Sequence, residues 1–331
     1  MNRYEITVDL PLENGGVLHG ARIVFHDSET RGGRTVWICH ALTANSNPED
    51  WWPEMVGPGK TIDTLRDRVV CVNMLGSAYG SEGPARTNPE TGRPWMLDFP
   101  MITIRDSVSA FIAVRKYLGV EKIDLLIGAS NGGFNAIEWA VTEPERMGRC
   151  LFLCTAPRIS PYLSATVEAQ RMALEADPSF RAAKDLHGGA DGLRCARAQA
   201  LISYRSFKGF QRTQAEEDPD TLFAGRAASY ERYQGEKLVR RGFDAYCYYT
   251  QCNALDSHNV GRGRGGVEKA LGTIQAPCTV VAVDTDQIFP PQEGKVWSAW
   301  IPNAEYIEIS SDFGHDGFLL ETAKLSAIIM R

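Results

Sequence analysis

A serine flanked by small residues is the feature of this sequence that points most directly to chemistry. Ser130 lies in the run Gly-Ala-Ser-Asn-Gly-Gly at 128–133, which matches the pattern G-x-S-x-G. In that pattern the serine occupies a strained turn between a buried strand and a helix, and its hydroxyl projects outward. The apolar run at 123–127 and the helical rhythm at 134–141 supply this context. We therefore interpret Ser130 as a nucleophile, with an ordinary glycine-rich turn as the alternative.

A serine nucleophile needs a histidine as its base and a carboxylate that orients the histidine. Two of the three histidines after the serine fall in the helical segment 159–261, whereas His315 lies between the last predicted strand and the last predicted helix. We predict His315 as the base, and a structural histidine is the alternative. The loop after the strand at 278–283 offers Asp284 and Asp286 as the acid. Spacing favours Asp286 only slightly, since Asp284 is more suited to capping the strand end.

The oxyanion that forms when the serine attacks requires two backbone N–H groups. One comes from the residue after the nucleophile, which is Asn131, and the other comes from the loop after an early strand. That loop is His-Ala-Leu-Thr at 40–43, and Leu42 is its best candidate. We expect His40 to shape the loop through hydrogen bonds instead of acting as a base.

The elements that must position these groups alternate between short apolar runs and segments of helical period. This alternation predicts an α/β fold in which a mostly parallel sheet is flanked by helices. The predicted strands are 35–40, 69–73, 123–127, 149–154, 278–283 and 304–309, and the predicted helices are 103–118, 134–141, 290–301 and one from 317. We predict a core formed by residues 1–158 and 262–331, and a helical lid insertion at 159–261 that lies over the sheet.

Composition and charge exclude several classes of protein. The 331 residues include 35 basic and 41 acidic side chains, a net charge of −6, and no long basic run that would fit a nucleic-acid partner. No segment reaches the roughly 20 apolar residues that span a bilayer, and the first residues alternate instead of forming a signal sequence. We expect a cytoplasmic protein without a membrane or nucleic-acid partner.

The eight cysteines are scattered and form no C-x-x-C pair. Most lie inside apolar runs, so we interpret them as buried thiols of a reducing compartment. The six histidines show no paired spacing with these cysteines. No zinc or other metal site is therefore predicted.

Many segments of the chain resemble the homoserine O-acetyltransferases of methionine biosynthesis, which have the α/β-hydrolase fold. The matching segments run in the same order through most of the chain: His40–Thr43, Trp51-Trp52, Val56–Asp63, Asn73–Gly76, Tyr79-Gly80, Gly83-Pro84, Asn88–Gly92, Asp98–Pro100, Thr103–Asp106, Glu138–Ala140, Tyr204–Ser206, Val260–Gly266, Thr285-Asp286, Phe289–Pro291 and Gly314–Asp316.

The resemblance implies Asp286 as the acid and a ping-pong transfer of an acetyl group from acetyl-CoA, through Ser130, to the hydroxyl of L-homoserine. It also implies that Arg205 binds the carboxylate of the amino acid and that Asp316 binds its amino group. Their alternative roles are a helix-surface ion pair and a helix cap. The resemblance further implies that acetyl-CoA is a co-substrate, that no bound cofactor is needed and that the chain forms a homodimer.

The chain departs from the family pattern near the expected pocket. Ala129 and Asn131 replace the usual Gly and Met of the serine turn, and Glu82 and Arg86 replace Thr and Ser. We expect Glu82 and Arg86 either to tune the choice of acyl donor or to lie on a solvated rim. The other activities considered are O-succinyl transfer, acylation of serine, ester hydrolysis, and a catalytically silent receptor.

Overall fold

One eight-stranded sheet organises the protein, described here from a computed structural model of residues 1–331. The strands occur in the order β1-β2-β4-β3-β5-β6-β7-β8. The first two strands and the β2–β4 pair are antiparallel, and β3 to β8 run parallel. The bounds are β1 Asn2–Pro11, β2 Val17–Asp27, β3 Thr35–Cys39, β4 Arg68–Val72, β5 Leu125–Ala129, β6 Cys150–Leu153, β7 Cys278–Val283 and β8 Ala304–Ile309. The predicted mostly parallel sheet is confirmed.

Helices flank this sheet and also form a separate layer. Their bounds are α1 Pro48–Trp51, α2 Ile104–Tyr117, α3 Asn131–Thr142, α4 Pro161–Glu175, α5 Pro178–Ala182, α6 Ala190–Tyr204, α7 Phe207–Gln214, α8 Arg226–Arg240, α9 Ala245–Asp256, α10 Val267–Leu271, α11 Pro291–Ser298, α12 Gly317–Leu320 and α13 Thr322–Ile329. Short 3₁₀ helices cover Met96–Asp98, Pro144–Arg146 and Gly314–Asp316. None of the helices is long and apolar enough to cross a bilayer.

Local sequence explains where the longer helices begin. The Thr103 side chain accepts from the backbone N–H of Asp106, and the Asp106 carboxylate accepts from the backbone N–H of Thr103, so α2 starts with a capping box. Helix α4 starts with Ser160 as its cap and Pro161 in the first turn. These contacts satisfy N–H groups that the first helical turn would leave unpaired.

Strand predictions agree closely with the structure except at two places. The predicted strand 123–127 is observed at 125–129, because Ile123 forms only an isolated bridge and the pairing continues through Gly128 and Ala129. The hairpin of β1 and β2 was not predicted. Its alternating exposure carries a real strand signal, but one face of β1 stays largely open to solvent.

Side chains from alternate strand positions fill the two faces of the sheet. One face carries Trp37, Val70, Leu126 and Phe152, and the other carries Val36, Val69, Leu125 and Leu151. Trp37 packs edge to face against Trp139 of α3, with ring centroids 4.9 Å apart. This packing holds α3, the helix that follows Ser130, firmly on the sheet.

Seven helices lie between β6 and β7, and the first six of them, α4 to α9, form a layer with its own core. Phe180, Tyr246 and Tyr248 are buried there. The Tyr246 hydroxyl donates to the Phe180 carbonyl at 2.9 Å, and the Tyr248 hydroxyl donates to the side chain of Gln170 at 2.8 Å. The exact division of the chain at 159 and 261 stays a prediction.

The cysteine interpretation needs one correction. All eight cysteines are free, and seven are buried, but Cys195 is exposed. Helix α6 turns Ala196 and Ala200 inward, and this leaves Cys195 on the outer side.

An ion network centred on the buried Glu138 joins the layer's return segment to the core. Arg264 makes a two-point contact with the Glu138 carboxylate, at 2.6 and 2.9 Å, and Arg105 approaches the same carboxylate at 3.4 Å. Glu13 in the β1–β2 turn binds Arg105 at 2.9 Å and Arg262 at 2.8 Å. The network therefore connects α2, α3, the first hairpin and the segment after α9.

Removing the Glu138 carboxylate should strongly destabilise the fold. Its side chain is only 2% exposed, so Glu138→Ala leaves Arg264 and Arg105 without their buried partner. We expect the free energy of unfolding in urea to fall by about 3 kcal/mol. Glu145→Ala removes an exposed partner of Arg146 and should change it by less than about 1 kcal/mol. Equal losses in the two variants would contradict this account.

Candidate active site

Ser130 stands on a sharp turn between β5 and α3. Its backbone has φ 56° and ψ −126°, a left-handed conformation that is uncommon for a residue with a side chain. A Cβ at Gly132 would lie 2.0 Å from the carbonyl oxygen of Cys39, and one at Gly128 would lie 2.4 Å from the carbonyl oxygen of Gly132. Only glycine permits these approaches, and they bring the Ser130 turn against the end of β3.

Ser130, His315 and Asp286 form one continuous chain of hydrogen bonds. His315 Nε2 lies 2.8 Å from Ser130 Oγ, and His315 Nδ1 lies 2.7 Å from Asp286 Oδ2. The other Asp286 oxygen accepts from the backbone N–H groups of Ile288 and Phe289 at 2.8 and 3.1 Å. Both oxygens of Asp286 are therefore engaged, which fixes the carboxylate and in turn the imidazole.

Asp284, the other acid considered, has a different role. Its carboxylate accepts from the backbone N–H of Ser311 at 2.9 Å and so links the ends of β7 and β8. This is the capping role considered from the sequence. The structure thus brings Asp286, and not Asp284, to the histidine.

Aromatic rings surround His315. The rings of Phe289 and Phe318 each lie 5.3 Å from the imidazole, and the ring of Tyr204 lies at 5.7 Å. Burial lowers the pKa of His315, but the charge and hydrogen bond of Asp286 outweigh it, so the net pKa is raised above its ordinary value. The imidazole is consequently a stronger base than a free histidine.

Two backbone amides are available beside the serine hydroxyl. Asn131 is the first residue of α3, so its N–H has no acceptor within the helix. The N–H of Leu42 makes no hydrogen bond within the protein. Leu42, Ser130 and Asn131 line the same small cavity. This arrangement has the donors that an oxyanion hole requires.

His40 holds the loop that carries the Leu42 amide. Its Nε2 accepts from the backbone N–H of Met74 at 3.2 Å, which leaves Nδ1 to donate to the Ala41 carbonyl at 2.9 Å. Burial lowers the pKa of His40 to about 4, so the ring stays neutral. Since the Ala41 carbonyl and the Leu42 N–H belong to one trans peptide group, this bond turns the N–H to the opposite side.

Arg205 and Asp316 form an ion pair in the wall of the cavity at Ser130. Arg205 Nε lies 2.9 Å from Asp316 Oδ2, although the N–H direction is not that of a good hydrogen bond. Burial raises the pKa of Asp316, and the Arg205 charge offsets part of that effect. The Asp316 side chain does not cap α12. An opposite pair of charges therefore lies beside the triad.

The cavity itself has a volume of about 400 Å³ and contains residues that the sequence did not indicate. Helices α6 and α8 supply most of its far wall. Besides Ser130, His315, Arg205 and Asp316, its charged and polar lining includes Asp50, Arg197, Tyr204, Tyr230, Gln234, Lys237 and Arg241. The spacing of the α8 residues is a helical signal, but the sequence does not tell which face of the helix meets the site.

Glu82 and Arg86 lie away from both cavities that contact Ser130. The Glu82 carboxylate accepts from the backbone N–H of Arg22 at 3.3 Å, and the Glu82 backbone also pairs with Arg22. The expectation that these two side chains line the acyl pocket is therefore wrong, because their loop is attached to β2.

The junction of α6 and α7 rests directly on the loop that carries His315. The Ser206 hydroxyl donates to the carbonyl of Asp312. A Cβ at Gly314 would lie 2.7 Å from the backbone nitrogen of Ser206, and one at Gly209 would lie 2.8 Å from the Asp312 carbonyl. The helical layer and the histidine loop are consequently in backbone contact.

Cys154, Asp286 and His315 are close enough to be considered as metal ligands, since their donor atoms lie within 4.8 Å of one another. However, both nitrogens of His315 and both oxygens of Asp286 already have hydrogen-bond partners. Burial and the neighbouring Asp286 raise the pKa of the Cys154 thiol, which disfavours the thiolate that a metal would bind. The group fits proton transfer better than metal binding.

Comparison with known proteins agrees with this geometry. A family model described as the alpha/beta hydrolase fold matches residues 34–322. The homoserine O-acetyltransferase of Nostoc punctiforme is 38% identical over 99% of this chain and 94% of its own length. The crystal structure of homoserine O-acetyltransferase from Staphylococcus aureus has a TM-score of 0.81 and 28% identity, and the match covers 99% of this chain and 94% of that one. Esterase E22 has a TM-score of 0.89 and 21% identity over 99% of this chain and 98% of its own, a likeness of fold alone.

These matches confirm the resemblance noted in the sequence. This chain is an enzyme that belongs to the α/β-hydrolase superfamily and, within it, to the homoserine O-acetyltransferase family.

Proposed function

We propose that this enzyme transfers an acetyl group from acetyl-CoA to the hydroxyl of L-homoserine through a covalent intermediate on Ser130. The observation that carries the proposal is the hydrogen-bonded chain from Ser130 through His315 to Asp286, at 2.8 and 2.7 Å, in a cavity that also holds opposite charges. The name and high coverage of its relatives support the acceptor and the donor.

In the first half of the reaction, Ser130 Oγ attacks the thioester carbonyl while His315 Nε2 takes the hydroxyl proton. The amides of Leu42 and Asn131 stabilise the oxyanion of the tetrahedral intermediate. The carbon–sulfur bond then breaks, and the CoA sulfur leaves with the proton from His315. Ser130 is now an acetyl ester, and the imidazole is neutral again.

In the second half, the homoserine hydroxyl gives its proton to His315 and attacks the ester carbonyl. The same two amides stabilise the new oxyanion. The bond to Ser130 Oγ breaks, and His315 returns the proton to the serine. A zwitterionic amino acid would place its carboxylate at Arg205 and its ammonium group at Asp316, which supports an amino-acid acceptor.

The size of the second cavity at Ser130 supports acetyl as the acyl group. This cavity has a volume of about 20 Å³, room for one group of the size of a methyl or a water molecule. Apolar side chains supply most of its lining, including Leu163, Val167 and Phe289, and it contains no Lys or Arg. A succinyl carboxylate would be desolvated there without a cation, which is costly.

Ester hydrolysis and acylation of serine remain the alternatives of the same chemistry. The fold likeness to esterase E22 carries no information on the acceptor. Burial of His315, at 3% exposure, favours an alcohol that is held in place over bulk water. The incubation with homoserine, serine or water described below distinguishes these acceptors.

We further propose a homodimer that forms through the helical insertion, a cytoplasmic location, and a reaction that uses acetyl-CoA as a co-substrate without a resident cofactor. Exposed apolar side chains on the insertion support the dimer, namely Ile202, Phe207, Leu222, Phe223 and Tyr233. The eight free cysteines support a reducing compartment.

Ser130→Ala should abolish transfer, because no other nucleophile is hydrogen-bonded to His315 Nε2 and the raised pKa of nearby Cys154 keeps its sulfur a thiol. We would incubate the wild type with acetyl-CoA or succinyl-CoA, each with homoserine, serine or water, and follow CoA release and product mass. We expect O-acetylhomoserine as the main product, and an acetylated protein when no acceptor is present.

Ser298→Ala, a buried serine on α11, is the matched control and should keep transfer activity. An acetyl adduct on the Ser130→Ala protein would contradict the nucleophile. Faster transfer to water than to homoserine would identify a hydrolase, and no CoA release with any acceptor would indicate a receptor.

Transfer should depend on pH through His315, which acts as a base only when neutral. Because the net pKa of His315 is raised, kcat/KM should decline as the pH falls through that pKa, which lies above the ordinary pKa of histidine. Asp286→Asn removes the carboxylate and leaves burial, which lowers the pKa. We expect the acid limb to move to lower pH and the plateau to drop by roughly 10³-fold or more. Asp284→Asn should leave the limb in place. An unmoved limb in Asp286→Asn would count against this role.

Enlarging the small cavity should admit longer acyl groups. Leu163→Ala removes apolar volume beside Ser130, so we expect kcat/KM for propionyl-CoA relative to acetyl-CoA to rise about tenfold. Leu174→Ala makes the same change on α4, within the buried core of the insertion, and is the control for lost stability. If both variants change the ratio equally, the cavity does not bind the acyl group.

A further inference from the structure

The large cavity at Ser130 is positively charged although the chain as a whole carries −6. Four cationic side chains line it, and only two carboxylates do, Asp50 and Asp316. The cations are Arg197, Arg205, Lys237 and Arg241. A cleft lined by one sign of charge attracts ligands of the opposite sign.

Three of these four cations have no anionic partner in the protein. Arg205 pairs with Asp316 at 2.9 Å, and Asp50 accepts from the amides of Asn45 and Asn47. The unpaired cations are Arg197, Lys237 and Arg241. None of these three side chains forms a salt bridge. Nη1 of Arg197 is buried without any acceptor. Burial raises the pKa of the Glu231 and Asp316 carboxyls, and Arg197 nevertheless lies close enough to both for its charge to offset part of that rise. The positive charge to spare in the cavity is therefore that of Lys237 and Arg241.

Of the unpaired cations, Lys237 lies on α8 and Arg241 is the residue that caps the C-terminus of this helix. Tyr230, Gln234, Lys237 and Arg241 are spaced by four, three and four residues, so they project on the same side, and all four line the cavity. The helix C-terminus favours cations in general. That preference does not select a face, because the neighbouring Arg240 lies off this face and pairs with Glu236 at 3.1 Å.

The position of Lys237 is far from the triad along the cavity wall. Arg194 of α6 pairs with Glu236 of α8 at 2.5 Å, so Lys237 lies about level with Arg194. Tyr204, whose ring lies 5.7 Å from His315, follows Arg194 by ten residues on α6. At 1.5 Å per residue this is a separation of about 15 Å. Lys237 and Arg241 are both exposed, as expected for the outer part of the cavity.

We propose that Lys237 and Arg241 form a phosphate-binding subsite that holds the nucleotide end of the acyl-CoA donor while its thioester reaches Ser130. The inference rests on the proposed function, since a long pantetheine arm separates the thioester of acyl-CoA from its phosphates. Phosphate oxygens accept strong charge-assisted hydrogen bonds from lysine and arginine. The subsite binds the donor and takes no part in the chemical steps.

The subsite predicts a preference for phosphorylated thioesters that depends on these two side chains. We would compare acetyl-CoA with S-acetylpantetheine, which has the same arm without phosphate, as donors to homoserine. Lys237→Met and Arg241→Met should each raise KM for acetyl-CoA about tenfold or more, and the double variant should lose most of the preference. kcat/KM for S-acetylpantetheine should stay within about twofold. Added KCl should raise KM for acetyl-CoA in the wild type and have little effect in the double variant.

Arg240→Met is the matched control, because it removes a cation from the same end of the helix but from outside the cavity face. It should change the kinetic constants of neither donor. An equal loss with both donors, an unchanged KM for acetyl-CoA, or a rise in KM for homoserine instead would overturn the subsite. Acetylation of Ser130 by S-acetylpantetheine in every variant would show that the proposed function stands independently. Failure of both thioesters to acetylate the wild type would instead refute the proposed function.

Discussion

The left-handed backbone at Ser130 is the constraint on which the rest of the site depends. Such a conformation costs about 1–3 kcal/mol in a residue with a side chain, so the surrounding structure must impose it. Strand β5 is buried at every position, and α3 is held by the packing of Trp139 on Trp37. The close approach of Gly132 to Cys39 then brings the nucleophile beside the loop that carries the Leu42 amide. One strained residue thereby fixes both the nucleophile and its oxyanion donors.

The meeting of Ser130, Asp286 and His315 was predictable because a parallel sheet collects the ends of its strands at one edge. Each of the three follows a strand, and those strands could be recognised as short apolar runs such as 123–127 and 278–283. Spacing favoured Asp286 over Asp284 only slightly, since both follow β7 within three residues. In the structure Asp286 contacts His315, and Asp284 instead binds the Ser311 backbone. The hairpin of β1 and β2 was not predicted, because the alternating pattern of the first residues was used only to exclude a signal sequence.

The cavity walls were less predictable because they come from contacts between distant elements. Arg197 and Lys237 belong to different helices of the insertion, and their shared surroundings follow from how α6 packs on α8. The helical period of a sequence identifies the helix face on which a residue lies. It does not identify the element that packs against that face. The same limit explains the error at Glu82, which pairs with Arg22 of β2, and at Arg86, which pairs with Trp95 in the same loop. Chemistry at strand ends is therefore easier to predict than selectivity in the insertion.

The backbone contact between Ser206 and the histidine loop has a kinetic consequence. If the helical insertion swung away as a lid, it would pull on the segment that holds the general base, and the base would lose its alignment with the serine. This contact favours an insertion that stays in place while substrates exchange through the existing opening of the cavity. In the proposed reaction, free CoA would leave through that opening before an amino acid could take its place. Product departure, and not a hinge motion, would then set the upper limit on turnover.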